Sequence, residues 1–210
     1  MGLDNHRSKA DGVLDPLARA FRNVDPNRLT LVSMIFALSA GFFFFLGTLE
    51  GLLMAFLMVL LNSLFDALDG KVARLTGKAS KKGDFLDHLV DRYADMVILA
   101  GIALSPWCRD WIGLVAIVGV FMTSYTGTQA QAMGLGRNYG GILGRADRMV
   151  MLMLFPLVQY LFSVHMTGSV MLLEMELTII ELMMVWFALA GNITALQRAF
   201  KAWKDIGGGA

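Results

Sequence analysis

Residues 66–91 read DALDGKVARLTGKASKKGDFLDHLVD and carry four aspartates at regular offsets. Asp66 and Asp69 are three positions apart and Asp87 and Asp91 are four apart, so on helices each pair shares a face. If the two helices are antiparallel neighbours joined through Leu75–Lys82, the pairs converge. Both pairs sit at the ends of apolar stretches, where carboxylates repel one another and ionise at a cost unless a cation compensates. A divalent ion held by Asp66, Asp69, Asp87 and Asp91 is the simplest solution. All-oxygen donors select a hard ion, Mg²⁺ or Mn²⁺ and less readily Ca²⁺, rather than zinc or copper. Mg²⁺ commonly keeps positions open for phosphate oxygens, so these residues predict a phosphate-bearing substrate.

The neighbouring residues agree. Gly70 and Ala73 remove bulk beside the carboxylates, and Gly83 does so at the start of the second helix, whose N–H groups favour an anion. Arg74 offers a permanent planar donor for phosphate, and Lys71, Lys78, Lys81 and Lys82 add positive potential that suits anionic lipid head groups. Asp84 suits the first turn of the second helix, Asp95 is expected to pair inside the bundle with Arg92 or a neighbouring helix, and His88 stands by as a bystander or donor.

The elements that must position these groups are membrane helices. The 210 residues are 56% hydrophobic and 17% charged, with 14 Phe, 15 Met and 4 Pro, which excludes disordered, collagenous and disulfide-framed architectures. The single cysteine, Cys108, excludes an internal disulfide and a cysteine-cluster metal site. Six apolar stretches are expected to span: about Leu29–Thr48, Leu52–Leu68, Leu89–Leu104, Ile112–Met133, Met149–His165 and Val170–Leu196, the last interrupted by Glu174, Glu176 and Glu181. Sixteen of the eighteen Lys and Arg fall on the side that holds the termini, so the positive-inside rule puts both termini and the aspartates at the cytoplasmic face of the cell membrane. Trp107 and Trp111 fit the outer aromatic belt, and Trp203 fits the inner end of the sixth span.

Leu14, Leu17, Ala18 and Phe21 recur at helical spacing, which predicts an amphipathic helix on the membrane surface or, alternatively, packed on the inner loops. Asp25–Pro26–Asn27 breaks that helix. The expectation is therefore an all-α integral membrane protein: an interfacial segment over 1–28, a six-helix catalytic domain over 29–204 and a flexible tail over 205–210. No cleavable signal peptide and no nucleic-acid partner are expected. Gly41, Gly101, Gly113 and Gly119 offer close helix approach, within or between subunits.

The run D-x-x-D-G-x-x-A-R-x8-G-x-x-x-D-x-x-x-D from Asp66 to Asp91 resembles, without a mismatch, the signature of the CDP-alcohol phosphotransferases. That resemblance implies transfer of a phosphatidyl-type group from a CDP-linked lipid to an alcohol with release of CMP. It implies that Asp66, Asp69 and Asp87 hold two divalent ions, with Asp66 and Asp69 also near the CDP moiety. Gly70, Ala73, Arg74 and Gly83 would line the nucleotide pocket, and Asp91 would be the base that takes the acceptor proton while touching a metal. A homodimer is implied as well.

Arg145 and Arg148, three residues apart, can share a helix face and clamp a phosphate, or can be plain positive-inside anchors, with Asp147 balancing one of them. The stretch Ser124–Arg148 resembles the inositol-phosphate-using branch, the phosphatidylinositol phosphate and archaetidylinositol phosphate synthases. By that resemblance Ser124, Arg145, Arg148 and Arg198 would bind the acceptor phosphate. Gly127 departs from it, standing where a lysine is expected, so Gln129, Gln131, Arg148 or Arg198 would have to compensate. The expected acceptor is L-myo-inositol 1-phosphate and the donor CDP-archaeol or CDP-diacylglycerol, with glycerol 3-phosphate as the next acceptor. A divalent-cation transporter would instead string its carboxylates along a path, and a prenyltransferase would need a second Asp-rich motif after Asp95.

Overall fold

The computed structural model describes residues 7–136, 140–172 and 174–207. The elements run α1 (Arg7–Ala20), α2 (Pro26–Phe45), α3 (Leu49–Leu75), α4 (Lys81–Ala103), α5 (Asp110–Ala132), α6 (Arg145–His165), β1 (Ser169–Leu172), β2 (Met175–Thr178) and α7 (Ile179–Gly207). Helices α2, α3, α5, α6 and α7 are long and apolar enough to cross a membrane. The third expected span is α4, which has 23 residues, but Lys81, Lys82, Asp84, Asp87, Asp91, Arg92 and Asp95 crowd its N-terminal half.

Local chemistry sets the helix boundaries. Asp25 accepts from the N–H of Asn27 at 2.9 Å and Pro26 takes the first helical position, so the expected break is also the start of α2. Thr48 accepts from Gly51 N–H at 3.0 Å to open α3. That helix closes with Gly77 at φ 65° and the N–H of Lys78 on the Ala73 carbonyl at 2.9 Å, a turn that glycine adopts without strain. Ser80 caps α4 by accepting from Gly83 N–H at 3.1 Å. Asp147 accepts from Gly144 N–H at 3.0 Å at the start of α6, so it caps that helix where the sequence reading had it balancing an arginine.

α2 packs on α3 and α4, α3 on α6, α4 on α5, and α5 on α7. A side chain on Gly101 would overlap the backbone of Gly41, and one on Gly41 would meet the Val97 carbonyl at 2.6 Å. Gly113 lies against Ala103 and Gly119 against Asn192, so all four glycines singled out in the sequence serve helix contacts within the chain. Between them lies a core that includes Phe44, Leu52, Ile98, Ile102 and Phe187.

The apolar face of α1 packs on α2 and α3: Ala18 is buried with Leu29, Leu68 and Val72, flanked by Leu17, Phe21 and Phe65, and Asp15 pairs with Lys71 at 2.6 Å. Two expectations change. The sixth expected span does not begin at Val170. Strands Ser169–Leu172 and Met175–Thr178 pair antiparallel, with Leu172 opposite Met175 and Glu174 at φ 63°, and α7 starts only at Ile179. The fold is all-helical, as expected, with this one short hairpin among the described residues. Finally, α7 continues to Gly207, so 205–207 are helical; 208–210, like 1–6 and Arg137, lie outside the described residues.

Candidate active site

The C-terminal end of α3 and the N-terminal part of α4 bring Asp66, Asp87 and Asp91 together, with one oxygen from each within 4.8 Å of the others. Asp69 stands apart from this trio. It is buried and accepts from Thr30 Oγ1 at 2.5 Å, and that threonine begins a polar seam between α2 and α3 through Ser33 and Asn62. Asp84, Asp87 and His88 also converge, His88 lying 3.7 Å from Asp84 and 3.8 Å from Asp87.

Packing of α3 on α6 delivers Arg145 to the trio. Its Nη2 sits 3.0 Å from Asp66 Oδ1 and also pairs with Asp91 Oδ1. A cation at the N-terminus of a helix opposes the helix dipole by about 0.3–1 kcal/mol, so the carboxylates, not the helix, hold it there. Its Nε is buried without a hydrogen-bond partner. Such an orphaned donor costs about 1–3 kcal/mol until an acceptor reaches it.

The donor set fits a hard divalent cation. Three carboxylates from α3 and α4 face two guanidiniums, Arg145 on Asp66 and Asp91 and the more distant Arg92 on Asp91, which still leaves the trio short of positive charge, and its three donors are all oxygen. Asp69, expected to share the metal role, is held by Thr30 beside this cluster.

The nucleotide-side residues occupy the same end of the bundle. The guanidinium of exposed Arg74 folds back over Gly70, where a side chain would meet it at 3.3 Å, and Ala73 lies on the same helix. Gly83 packs against Asn27 and Ser80, and its N–H is spent on the Ser80 cap, so it contributes space and not the free donor read from the sequence.

The four expected acceptor-phosphate residues divide. Arg145 is on the carboxylates, as above. Arg148 is 3% exposed and pairs with Asp95 at 2.9 Å, which makes it a buried strut between α6 and α4. Arg198 donates to the backbone carbonyls of Gly140 at 2.8 Å and Thr123 at 2.7 Å, tying α7 to α5. Ser124 receives the Nη1 of Arg92. Thr30 and Arg92 were not assigned to the site from sequence; a hydroxyl one turn after Pro26 and an arginine directly following Asp91 were the only hints.

The family model for CDP-alcohol phosphatidyltransferases matches residues 23–194, and the chain belongs to that family. The archaetidylinositol phosphate synthase of Pyrococcus horikoshii is 35% identical over 157 residues, covering 74% of this chain and 82% of that one. The phosphatidylinositol phosphate synthase of Mycobacterium tuberculosis with CDP-DAG bound matches with a TM-score of 0.75 at 25% identity over 91% of this chain and 94% of that one. The same synthase in complex with manganese and citrate gives a TM-score of 0.75 at 26% identity, over 90% and 88% of the two chains. The chain is therefore a transferase of phospholipid biosynthesis, an integral membrane protein, and it resembles the inositol-phosphate-using branch.

Proposed function

We propose that the protein transfers an archaetidyl or phosphatidyl group from CDP-archaeol or CDP-diacylglycerol to L-myo-inositol 1-phosphate and releases CMP. The observation that carries this reading is the convergence of Asp66, Asp87 and Asp91 with Arg145, a carboxylate cluster suited to a divalent ion beside a cation suited to phosphate. The relatives' names support the choice of acceptor. Two Mg²⁺ ions, or Mn²⁺ in their place, would be held by Asp66, Asp69, Asp87 and Asp91. When bound they would neutralise the donor diphosphate and the charge that develops on departing CMP.

The chain's own residues do the rest. Arg74, over the space left by Gly70 and Ala73, orients the diphosphate. The Asp91 carboxylate takes the proton of the acceptor hydroxyl as its oxygen bonds the lipid-side phosphorus; the bond from that phosphorus to the CMP oxygen breaks, and CMP leaves with the electron pair. Arg145, with its Nε buried and unpartnered, receives acceptor phosphate oxygens. In this reading α4 also crosses the membrane and brings the number of spans to six, its charged end lies at the cytoplasmic face with both termini, and two chains form a homodimer. Lipid tails then stay in the bilayer while the soluble acceptor enters from the cytosol.

The test is CMP release by purified protein in detergent with Mg²⁺ and each CDP-lipid, offering inositol 1-phosphate, glycerol 3-phosphate, serine and free inositol separately, with the lipid product weighed by mass spectrometry. Release with inositol 1-phosphate alone supports the proposal. Preference for glycerol 3-phosphate keeps the transfer chemistry and replaces the acceptor.

A further inference from the structure

Two arginines, Arg92 and Arg145, flank Asp91, one addressing each carboxylate oxygen. Arg145 pairs with Oδ1, and Arg92 Nη2 lies 3.7 Å from Oδ2. Arg92 also lies 3.6 Å from Asp95 Oδ2, and its Nη1 reaches the Ser124 hydroxyl on α5. Its neighbour Arg148 offers no such reach: it is fully buried, and its 2.9 Å pair with Asp95 is the shorter of the two that Asp95 makes. Asp95 therefore fixes Arg148 as a strut and holds Arg92 more loosely, with 29% of the Arg92 side chain still exposed.

We infer that Arg92, not Arg148, is the second guanidinium that meets the phosphate of the acceptor, acting with Ser124 from the α5 side while Arg145 acts from the α6 side. This rests on the phosphorylated-alcohol reading given above. An arginine with long pairs to two carboxylates can turn one edge of its fork to a phosphate without leaving either carboxylate unpaired, because five N–H donors exceed what its present partners take. The same placement sets specificity. A phosphate held between Arg92 and Ser124 keeps the acceptor within one arginine's span of Asp91, so one of its hydroxyls can present its proton there. An alcohol without phosphate would give the free edge of the Arg92 fork nothing to bind, leaving only its pairs with Asp91 and Asp95.

The experiment compares steady-state CMP release by wild type, Arg92→Gln, Arg92→Lys and Arg148→Gln in Mg²⁺, varying inositol 1-phosphate and CDP-lipid in turn, with thermal unfolding recorded for each. The wild type is first assayed with inositol 1-phosphate, glycerol 3-phosphate and free inositol. No turnover with any phosphorylated alcohol sinks the underlying reading, whatever the variants do. Given such turnover, Arg92→Gln is expected to raise KM for the phosphorylated acceptor about tenfold or more, to leave KM for the CDP-lipid within about twofold, and to lose preference over the phosphate-free alcohol. Arg92→Lys should recover part of the acceptor KM, and Arg148→Gln should lower the unfolding temperature with little change in that KM. If Arg92→Gln lowers kcat alone with acceptor KM unchanged, or if Arg148→Gln carries the KM effect, the inference is overturned. Should Arg92→Gln fail to fold, the acceptor KM of Arg92→Lys decides by the same criterion.

Discussion

The two ends of the bundle each bury a carboxylate beside an arginine, yet they are built differently. At the end where α4 leaves its loop, Asp66, Asp87 and Asp91 cluster, Arg145 pairs with Asp66 and Asp91, and the Nε of that arginine has no partner. At the opposite end Glu181 is buried in the first turn of α7 with its carboxylate partnered, although the nearby Trp107 Nε1 is, like Arg145 Nε, buried without a hydrogen-bond partner. The backbone N–H of Arg109 donates to its Oε1 at 2.9 Å, the Arg109 guanidinium lies at 3.6 Å, and Thr178 Oγ1 accepts from the Glu181 N–H at 2.9 Å. Buried Gln159 completes this cap by accepting from Ile179 N–H at 2.6 Å and donating to the carbonyl of Gly168 at 2.7 Å. A single carboxylate with matched partners fixes a structure, whereas a cluster of three carboxylates with acidic surplus is poised for a cation. The difference separates the chemical end from the structural end, although both would score alike as charged residues in apolar helices.

The largest effect should come from Asp91→Asn, which keeps the shape and removes the base: kcat is expected to fall about 10³-fold, with the folded fraction by size-exclusion chromatography unchanged. Next, Arg145→Gln should lower kcat/KM about 10²-fold. It also strips the closer of the two guanidiniums from the trio and leaves Arg92 at 3.7 Å from Asp91, so Mg²⁺ should raise the unfolding temperature of this variant more than that of wild type. Equal Mg²⁺ shifts would mean that the trio is not the cation site.

At the other end the order of effects inverts. Glu181→Ala leaves the Arg109 N–H without its acceptor and should cost about 1–3 kcal/mol of stability, read as a lower unfolding temperature, with kcat/KM within about twofold of wild type. The smallest effect concerns Cys108, between α4 and α5. Burial, with Glu181 nearby adding to it, pushes its thiol up to about 12. Maleimide labelling of native protein at neutral pH should therefore be slower than for a free thiol by on the order of 10³-fold, returning to normal on unfolding. Rapid labelling of the native form would show that this end is open, against the burial of Cys108.

The sequence disclosed much of this because its signals were local. The offsets of Asp66, Asp69, Asp87 and Asp91 were legible as shared helix faces, Asp25–Pro26 as a boundary, and Gly41, Gly101, Gly113 and Gly119 as close contacts. What escaped depended on pairing across the fold. Arg148 with Asp95, Arg92 with Ser124 and Thr30 with Asp69 join residues on different helices, and no periodicity within one helix reveals which of several arginines meets which acid. The hairpin was hidden for a different reason. Met, Leu and Glu, which dominate Ser169–Thr178, are strong helix formers. Here cross-strand pairing, with Ser169 Oγ donating to Glu176 at 2.5 Å and Arg109 to the Glu176 carbonyl at 2.8 Å, overrides that preference.

The contrast between the ends is tested most directly by CMP release from a CDP-lipid and inositol 1-phosphate, titrated with Mg²⁺, for wild type, Asp87→Asn and Glu181→Gln. The account predicts that chelation silences wild type, that Asp87→Asn needs at least about tenfold more Mg²⁺ or is inactive, and that Glu181→Gln follows the wild-type curve. Release that persists in chelator, or an Mg²⁺ dependence that moves with Glu181 and not with Asp87, would contradict it.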